Sequence, residues 1–332
     1  YGRWYQLNFN ADKTKIVITG SKIDMDLYHD IKPWTLAGGT VSVVTDNDHL
    51  GLLVSGVDEE QKNVDKHIVE CRKSLFGLLG PALSYKCKLS PLAQHHLWKV
   101  YSLPVLQSGL SALPIRPSVM KSLTIFHHKI LRGFLKLSNS SPVPGLYFLL
   151  GEQHFDLLTL FHNLLENPET KLFSVAKYIL MMSDEKSTTW CYHIRLICRQ
   201  YDLPDPLQLL QSTPLPRAEW KTLVVTKITA YHEKYLRQKA ATNSCLQFLN
   251  VQLQGLSGRP HPTLLCISET REAYKLRAHM QLLSGDYPSY ELLVKQRNSG
   301  PHWRLCSCPV EYTQHILAEC STTAEVCGQL LP

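Results

Sequence analysis

The chain contains the stretch SVMKSLTIFHHKILRGFLKL at residues 118–137, which indicates its fold class most clearly. Apolar residues recur in it at helical spacing, so a helix would bring them to one side: Val119, Leu123, Phe126, Ile130, Phe134 and Leu137. The opposite side would carry polar and basic residues: Lys121, His128, Arg132 and Lys136. The pattern therefore predicts a helix with one packed face and one face suited to an anion.

Helical periodicity extends to both sides of this stretch. From residue 62 an apolar stripe recurs at steps of three and four, with Arg72 and Lys73 facing outward: Val64, Ile68, Cys71, Leu75 and Leu78. A second helix is predicted from about Pro91 to Leu103, ending at Pro104 because proline interrupts the hydrogen-bond ladder. SNSSPVPG (138–145) has the composition of a linker. Further helices are predicted at 153–166, 170–182, 187–201, 217–239 and 269–284.

The first sixty residues differ in their periodicity. The runs KIVITG (15–20) and TVSVVT (40–45) have strand-type composition and are separated by turn residues. We interpret them as antiparallel strands. The fold class is therefore α+β, mostly α, with short strands near the N-terminus followed by helices.

The basic residues are distributed unevenly. The 332 residues carry a net charge of +7, and no Asp or Glu occurs between Glu70 and Glu152. That stretch contains ten basic residues: Arg72, Lys73, Lys86, Lys88, Lys99, Arg116, Lys121, Lys129, Arg132 and Lys136. Such a block of one sign favours a polyanionic partner. The alternative is a solvated surface that happens to lack acids.

Compartment and size follow from composition. The sequence contains no run of eighteen apolar residues, so no membrane span is predicted, and the first residues lack the apolar core of a signal peptide. Ten cysteines without a dense framework fit a reducing, intracellular compartment, and the expected localisation is nuclear and cytoplasmic. The length favours two domains or three. A start at Tyr1 suggests a piece of a longer protein.

A cluster of metal-ligand residues lies near the C-terminus in LCSCPVEYTQHILAEC (305–320). Its candidate ligands are Cys306, Cys308, His315 and Cys320. Three thiolates and an imidazole complete a tetrahedral zinc site with no open position, which predicts a structural metal. The single residue between the first two cysteines is a narrow spacing, so His302 or Cys327 could enter the set. The alternative is a group of ordinary thiols.

Several segments together resemble the reverse transcriptases of non-long-terminal-repeat (LINE-type) retrotransposons, from the end of the palm onward. LNFNADKTKIV (7–17) looks like the fourth palm motif, and HLGLLVSG (49–56) is similar to the hairpin that follows it. LPVLQSGLSAL, FHHKILRGFLKL and SPVPGLYFLLGE look like the thumb and the connection after it. SETREAYKLRAHMQLLSGDY (268–287) and the Cys/His cluster resemble the C-terminal region.

The resemblance implies a division of the chain and a set of partners. It assigns 1–60 to the end of the palm, 61–140 to a thumb-like helical domain, 141–300 to a helical connector and 301–332 to a zinc-knuckle-like tail. The implied partners are RNA and DNA as an RNA–DNA duplex, together with the upstream palm and fingers of the parent polymerase, and no membrane.

The resemblance also implies a chemistry that this chain holds only in part. The family uses two Mg²⁺ ions held by paired palm aspartates, and that motif does not occur in this sequence. Asp46 and Asp48 on a predicted strand, and the acids at 58–60, are interpreted as solvated. Lys13 matches the motif lysine that protonates the departing pyrophosphate, an auxiliary general acid. The chain alone is therefore not expected to polymerise.

Other residues are interpreted as structural. Trp98 and Tyr101 flank Lys99 and could stack on a base, but packing is the favoured interpretation. The adjacent pairs His95–His96 and His127–His128 are interpreted as surface residues, because neighbours on a helix point in different directions. Cys191 and Cys198 are expected to share a buried helix face. The alternative function is a non-enzymatic helical adaptor with a zinc knuckle that binds protein partners.

Overall fold

A computed structural model gives the fold, which is mostly helical with a few short strands. It describes residues 10–19, 34–49, 51–83, 89–113, 116–152, 169, 171–182, 189–212, 215–246, 249, 259–266 and 280–284. Within these ranges the strands lie between residues 15 and 55 and the longer helices follow them. The expected class, α+β and mostly α, is confirmed at this level.

The chain forms two compact units that interleave in sequence. The first comprises Tyr1–Gly77, Lys99–Thr124 and Leu157–Lys221, and the second comprises Leu78–Trp98, Ile125–Asp156 and Thr222–Pro332.

A small sheet in the first unit contains the strands β1 (Lys15–Val17), β2 (Trp34–Leu36) and β3 (Gly39–Val44). β3 is central, pairing antiparallel with β2 and parallel with β1. The predicted antiparallel relation between the runs 15–20 and 40–45 is therefore wrong. Local sequence specifies only the hairpin partner of β3, since the two-residue turn at Ala37 (φ 53°) and Gly38 (φ 86°) joins it to β2.

The hairpin expected at 49–56 is confirmed. It is formed by β4 (Asp46–His49) and β5 (Leu52–Ser55), which pair antiparallel. Gly51 lies in its turn with φ +87°, a left-handed conformation that favours glycine. Helix α1 (Glu59–Leu83) follows. The buried Asn63 on α1 accepts a hydrogen bond from the Leu53 N–H and donates one to the Leu53 carbonyl, both at 2.7 Å.

The helical stripe predicted for α1 is largely confirmed. Val64, Ile68, Cys71 and Leu75 are buried, while Leu78 is 48% exposed and does not continue the stripe. Arg72 and Lys73 are exposed, as expected. Burial raises the pKa of the Cys71 thiol to about 12.

The second predicted helix begins at Pro91 but does not end at Pro104. α2 (Pro91–Leu97) is capped by Ser90 and leads into a π-helical turn (Trp98–Ser102) and then α3 (Leu103–Gln107). Pro104 lies in the first turn of α3, where its missing N–H is not required. The wider turn before it lets the chain remain helical. Side chains of α1 bind carbonyls here: Cys71 binds that of Ser102 (3.3 Å), and a ring nitrogen of His67 binds that of Val105 (3.1 Å).

The helix expected at 118–137 is confirmed as α4 (Pro117–Leu135). Val119, Leu123, Phe126 and Phe134 are buried, whereas Ile130 and Leu137 are partly exposed. The predicted linker is shorter than expected, because α5 (Val143–Leu150) begins inside it. This helix is buried from Pro144 to Leu150. Its prolines suit the first turn of a helix as well as a turn.

Three later helices agree with the predicted ones: α6 (Lys171–Met182), α7 (Trp190–Gln200) and α9 (Arg217–Ala241). The short helices α8 (Pro206–Leu209) and α10 (Pro262–Cys266) accompany them. Cys191 and Cys198 share a buried face of α7, as expected. The helix expected at 153–166 and the tail 301–332 lie outside the described residues, and only 280–284 of the helix expected at 269–284 is described. Across the described ranges, no helix combines the length and apolarity needed to cross a membrane.

Candidate nucleic-acid interface

The outer side of α1 carries basic and apolar side chains together. Arg72 and Lys73 are exposed, and Phe76, one turn after them, is 57% exposed. They lie opposite the buried stripe because the stripe recurs every three or four residues and these positions fall between its members. Sequence patterning predicted the two cations but missed Phe76, since an aromatic residue near an apolar stripe is normally assigned to the core.

The outer side of α4 has a similar composition. Lys121 and Lys129 are exposed, and Ile125 between them is 58% exposed. Residues at steps of four share one side of a helix, and eight residues span about 12 Å along its axis. Lys121 and Lys129 are thus two exposed cations of the same helix, with an exposed apolar residue between them in sequence.

Arg132, another predicted cation on this segment, contacts the protein through its charged group. The Arg132 guanidinium donates two hydrogen bonds to the carbonyl of the buried Ser141, at 3.2 and 2.8 Å. Lys136 follows the last turn of α4 with φ 56°, and its backbone N–H donates to the Gly133 carbonyl at 3.3 Å. Arg132 is therefore placed to hold the turn that leads from α4 to α5.

Arg116 is engaged by acids that precede the acid-free stretch. Its Nε donates to Glu60 Oε2 at 3.0 Å and its Nη2 lies 3.5 Å from Asp58 Oδ1. The hydrogen bond with Glu60 raises the pKa of Arg116. Lys99 is half-buried in the π-helical turn. Lys86 and Lys88 lie outside the described residues.

Lys13 lies at a turn that Asn10 organises. The Lys13 N–H donates to Asn10 Oδ1 at 3.2 Å, and the Thr14 hydroxyl donates to the Asn10 carbonyl at 2.8 Å. The Lys13 residue is exposed. The local geometry therefore fixes the backbone at Lys13 and leaves its side chain at the surface.

The acids of β4 pair with lysines on α1. Lys62 Nζ lies 2.6 Å from Asp46 Oδ1, and Lys66 binds Asp48. The hydrogen bond from Lys62 lowers the pKa of Asp46. These pairs join the hairpin to the first turns of α1, so both aspartates have a structural role in addition to the solvent exposure predicted for them.

The predicted metal site lies in a part of the chain that the structure does not describe. Cys306, Cys308, His315 and Cys320 all lie outside the described residues. In the part of the chain that the structure describes, no group of three His, Cys, Asp or Glu residues is arranged to hold a metal ion.

The histidine pairs do not behave as predicted. His95 and His127 are buried, at 6% and 1% exposure, and only their neighbours His96 and His128 are more accessible. His95 Nε2 contacts Glu152 Oε2, and His127 Nε2 lies 3.9 Å from Glu152 Oε1. Sequence reasoning missed this cluster because the acid that lies beside both imidazoles is buried and distant along the chain.

Aromatic packing surrounds these histidines. The Trp98 ring is fully buried, stacks on His127 with centroids 6.0 Å apart, and meets Phe126 and Phe134 edge-on. The favoured packing role of Trp98 is confirmed, whereas Tyr101 is 52% exposed. His128 shares a 3.1 Å hydrogen bond with the Tyr147 hydroxyl, and burial lowers the pKa of this imidazole to about 4.

Comparisons with known proteins leave the family open. No protein-family model matches the chain, and neither a curated protein nor a solved structure matches it. The resemblance to reverse transcriptases therefore stays a prediction from the sequence segments themselves.

Proposed function

We propose that this chain binds a nucleic-acid duplex through its phosphates, as a thumb-like part of a retrotransposon reverse transcriptase. One observation carries the proposal. Lys73, Lys121 and Lys129 are exposed on helices whose opposite sides are buried, within a stretch of sequence that contains no acid. Lysine and arginine contacts to phosphates position a protein on a duplex without reading its sequence.

The absence of acids from this stretch is central to the proposal. A phosphate backbone is repelled by carboxylates, so a binding surface benefits from cations that have no acidic neighbours in sequence. The guanidinium group of Arg116 donates a hydrogen bond to Glu60, and that of Arg132 donates to the Ser141 carbonyl. The three exposed lysines, with the exposed Arg72 beside Lys73 on α1, therefore carry the proposed contacts.

In the copying of RNA into DNA, this chain would form only part of the polymerase. The upstream palm of a parent polymerase would supply the paired aspartates and Mg²⁺, and Lys13 would act there as an auxiliary general acid. Zinc held by the C-terminal Cys/His cluster would be structural. The substrate class is an RNA–DNA duplex, and the chain by itself is not expected to polymerise.

The experiment is a salt series of binding to a labelled RNA–DNA duplex. Each phosphate contact contributes about 0.9 to the slope of log K against log salt, so replacing Lys73, Lys121 and Lys129 by Ala should reduce the slope by nearly 3. A matched control replaces Lys171, Lys221 and Lys234, which are also exposed and helical but lie outside the acid-free stretch. It changes the net charge equally and should retain the slope.

A second function is favoured by a different surface. On α6 the side chains of Val175, Tyr178, Met181 and Met182 are between 51% and 68% exposed. Exposed apolar clusters are typical of surfaces that bind protein partners, which fits the adaptor. Equal salt slopes in both triple variants, or no duplex binding at low salt, would favour the adaptor over the polymerase fragment.

A further inference from the structure

The second half of α9 exposes two aromatic rings on one side. Tyr231 and Tyr235 are 41% and 48% exposed, and their spacing of four residues brings them to the same side of the helix. Lys239, four residues further on, is also exposed, and its Nζ lies 5.8 Å from the Tyr235 ring centroid. The opposite side is buried at Leu236 and Ala240. We call Tyr231, Tyr235 and Lys239 the α9 face.

Carboxylates are scarce in the sequence around this face. Between Trp220 and Ser268 the chain contains six Lys or Arg residues and one acid, Glu233. The Glu233 Oε1 accepts hydrogen bonds from the Arg237 guanidinium at 3.0 and 2.6 Å, so its charge is paired within the helix. Arg237 also lies over the Phe148 ring of α5, 5.8 Å from its centroid, which helps to hold this part of α9 in the second unit. The excess of cations favours an anionic partner.

Exposed aromatic rings beside cations are suited to an unpaired nucleic-acid strand. Every base has a face that can stack on such a ring, whereas the faces of paired bases inside a duplex are covered by their neighbours. Tyr231 and Tyr235 are about 6 Å apart along the helix axis, and the nucleotides of one strand of a duplex follow each other every ~3.4 Å. The wider spacing of the two rings suits a strand whose bases have separated. The α9 face is therefore better matched to a single strand than to a duplex.

We propose that Tyr231 and Tyr235 stack on successive bases of an unpaired RNA strand while Lys239 contacts its phosphates. The phosphate contact is assigned to Lys239 rather than to the exposed Lys234, because the Lys239 ammonium group lies beside the Tyr235 ring. Stacking accepts any base, so this site holds a strand without reading its sequence. The choice of RNA rests on the proposed function, since copying RNA yields an RNA–DNA duplex that continues as uncopied, single-stranded RNA.

The test is binding of a labelled oligouridine RNA, which remains single-stranded, over a salt series. Replacing both Tyr231 and Tyr235 by Ala should weaken binding about 25-fold or more, since each stacked base is worth about fivefold or more. The salt slope should not change, because stacking releases no counterions. Replacing both tyrosines by Phe keeps the rings and should retain the affinity. An equal loss in the phenylalanine variant, or no loss in the alanine variant, would overturn the proposal.

Two single substitutions on α9 accompany these variants. Val225 is 36% exposed on the same helix, so Val225→Ala controls for the removal of exposed apolar surface and should retain the affinity. Lys239→Ala should lower the salt slope by about 0.7, the value for one phosphate contact on a single strand. A loss in Val225→Ala as large as that of the tyrosine variant would reject stacking as its cause. An unchanged slope in Lys239→Ala would reject the phosphate contact.

A change of probe covers the case in which a variant fails to fold. An abasic strand of the same length keeps the phosphates but offers no base to the rings. The unsubstituted chain should bind it with the same salt slope and about 25-fold more weakly than the RNA. Equal affinity for the two strands would refute stacking. Oligodeoxyuridine should bind no more tightly than the RNA, and tighter binding of this DNA strand would overturn the choice of RNA.

A fully paired RNA–DNA duplex separates this proposal from the proposed function. The alanine variant of Tyr231 and Tyr235 should bind this duplex as the unsubstituted chain does, whereas the variant of Lys73, Lys121 and Lys129 should lose salt slope. Failure of the lysine variant to do so would count against the duplex site alone. A loss of duplex affinity in the tyrosine variant would overturn the assignment of the α9 face to unpaired strands.

Discussion

Gly151 faces the backbone of Arg259 so closely that a side chain on Gly151 would collide with it. The contact involves main-chain atoms, which cannot rotate away as a flexible side chain can. Gly151 also has φ +62°, a conformation that L-residues adopt at a cost. Both features locate Glu152 beside the two buried histidines. This glycine is therefore a structural requirement of the second unit.

We predict that Gly151→Ala destabilises the chain by about 2 kcal/mol or more, since it combines a backbone clash with strain at positive φ. The measurement is urea unfolding followed by circular dichroism. Gly133→Ala is the matched control, because Gly133 lies within α4 and an added Cβ would meet nothing within 4 Å. Its expected effect is a stabilisation of roughly 0.5–1 kcal/mol. Equal effects of the two substitutions would contradict the packing described for Gly151.

Asn63 provides the next test, because its amide binds both backbone groups of Leu53. Asn63→Ala leaves a part-buried donor and a part-buried acceptor without these bonds, at an expected cost of about 1–3 kcal/mol. The comparison is Gln61→Ala, which removes an exposed 2.9 Å hydrogen bond to Asp65 and should change stability by less than about 0.5 kcal/mol. Unfolding curves of similar midpoint for both variants would show that Asn63 does not hold the hairpin.

Burial of His128 predicts an acid-sensitive stability. The pKa of His128 is about 4 in the folded protein and about 6.5 in an unfolded chain. Between these values the unfolded chain binds a proton that the folded protein excludes, so stability falls as the pH decreases from 6.5 towards 4. Allowing for partial solvation, the loss is roughly 2 kcal/mol.

The variant His128→Gln should reduce this acid dependence without removing it. Burial also lowers the pKa of His232 to about 4, so this residue contributes a second proton of the same sign. The double variant with His232→Gln should have the flattest profile between pH 6.5 and 4.5. Denaturant midpoints across this range provide the measurement, and an unchanged slope in the double variant would contradict the buried, neutral state of both rings.

The helices of this fold were predictable where one face is uniformly apolar. Val64, Cys71 and Leu75 on α1, and Val119, Leu123 and Phe126 on α4, recur at helical steps and are buried. Their periodicity carries the information locally, so no knowledge of the partner surface was needed.

Other features depend on partners that are distant in sequence. The parallel pairing of β1 with β3 follows from how the chain returns to the sheet, which periodicity does not encode. His95 and His127 resemble surface residues until Glu152 is brought beside them. Pro104 was predicted to end a helix. Whether the chain stays helical at this proline depends on the π-helical turn that precedes it. The candidate cations were predicted by type, but only the structure shows that Arg116 and Arg132 have protein partners.

Arg132 and Lys129 should therefore separate stability from binding. Arg132→Ala removes two charge-assisted hydrogen bonds to the buried Ser141 carbonyl, so we expect a loss of about 1.5–3 kcal/mol in the free energy of unfolding. Lys129→Ala removes an exposed side chain and should leave stability within about 0.5 kcal/mol, while lowering the salt slope of duplex binding by about 1. Thermal unfolding and the salt series measure the two effects. The reverse assignment would show that Arg132 is the phosphate contact.

Phe76 tests whether the exposed face of α1 contacts bases as well as phosphates. Stacking of an aromatic ring on a base is worth about 1–3 kcal/mol and releases no counterions, so Phe76→Ala should weaken binding to a duplex with an unpaired end and leave the salt slope unchanged. Phe76→Leu keeps an apolar side chain without the aromatic ring and should lose nearly as much affinity. Val69 is another exposed apolar residue on α1 (46% exposed), so Val69→Ala is the control for removing an apolar group. Equal affinity for the unsubstituted chain and Phe76→Ala would limit the contact of α1 with nucleic acid to its cations. A reduced salt slope in Phe76→Ala would instead indicate that the substitution displaces the neighbouring Lys73.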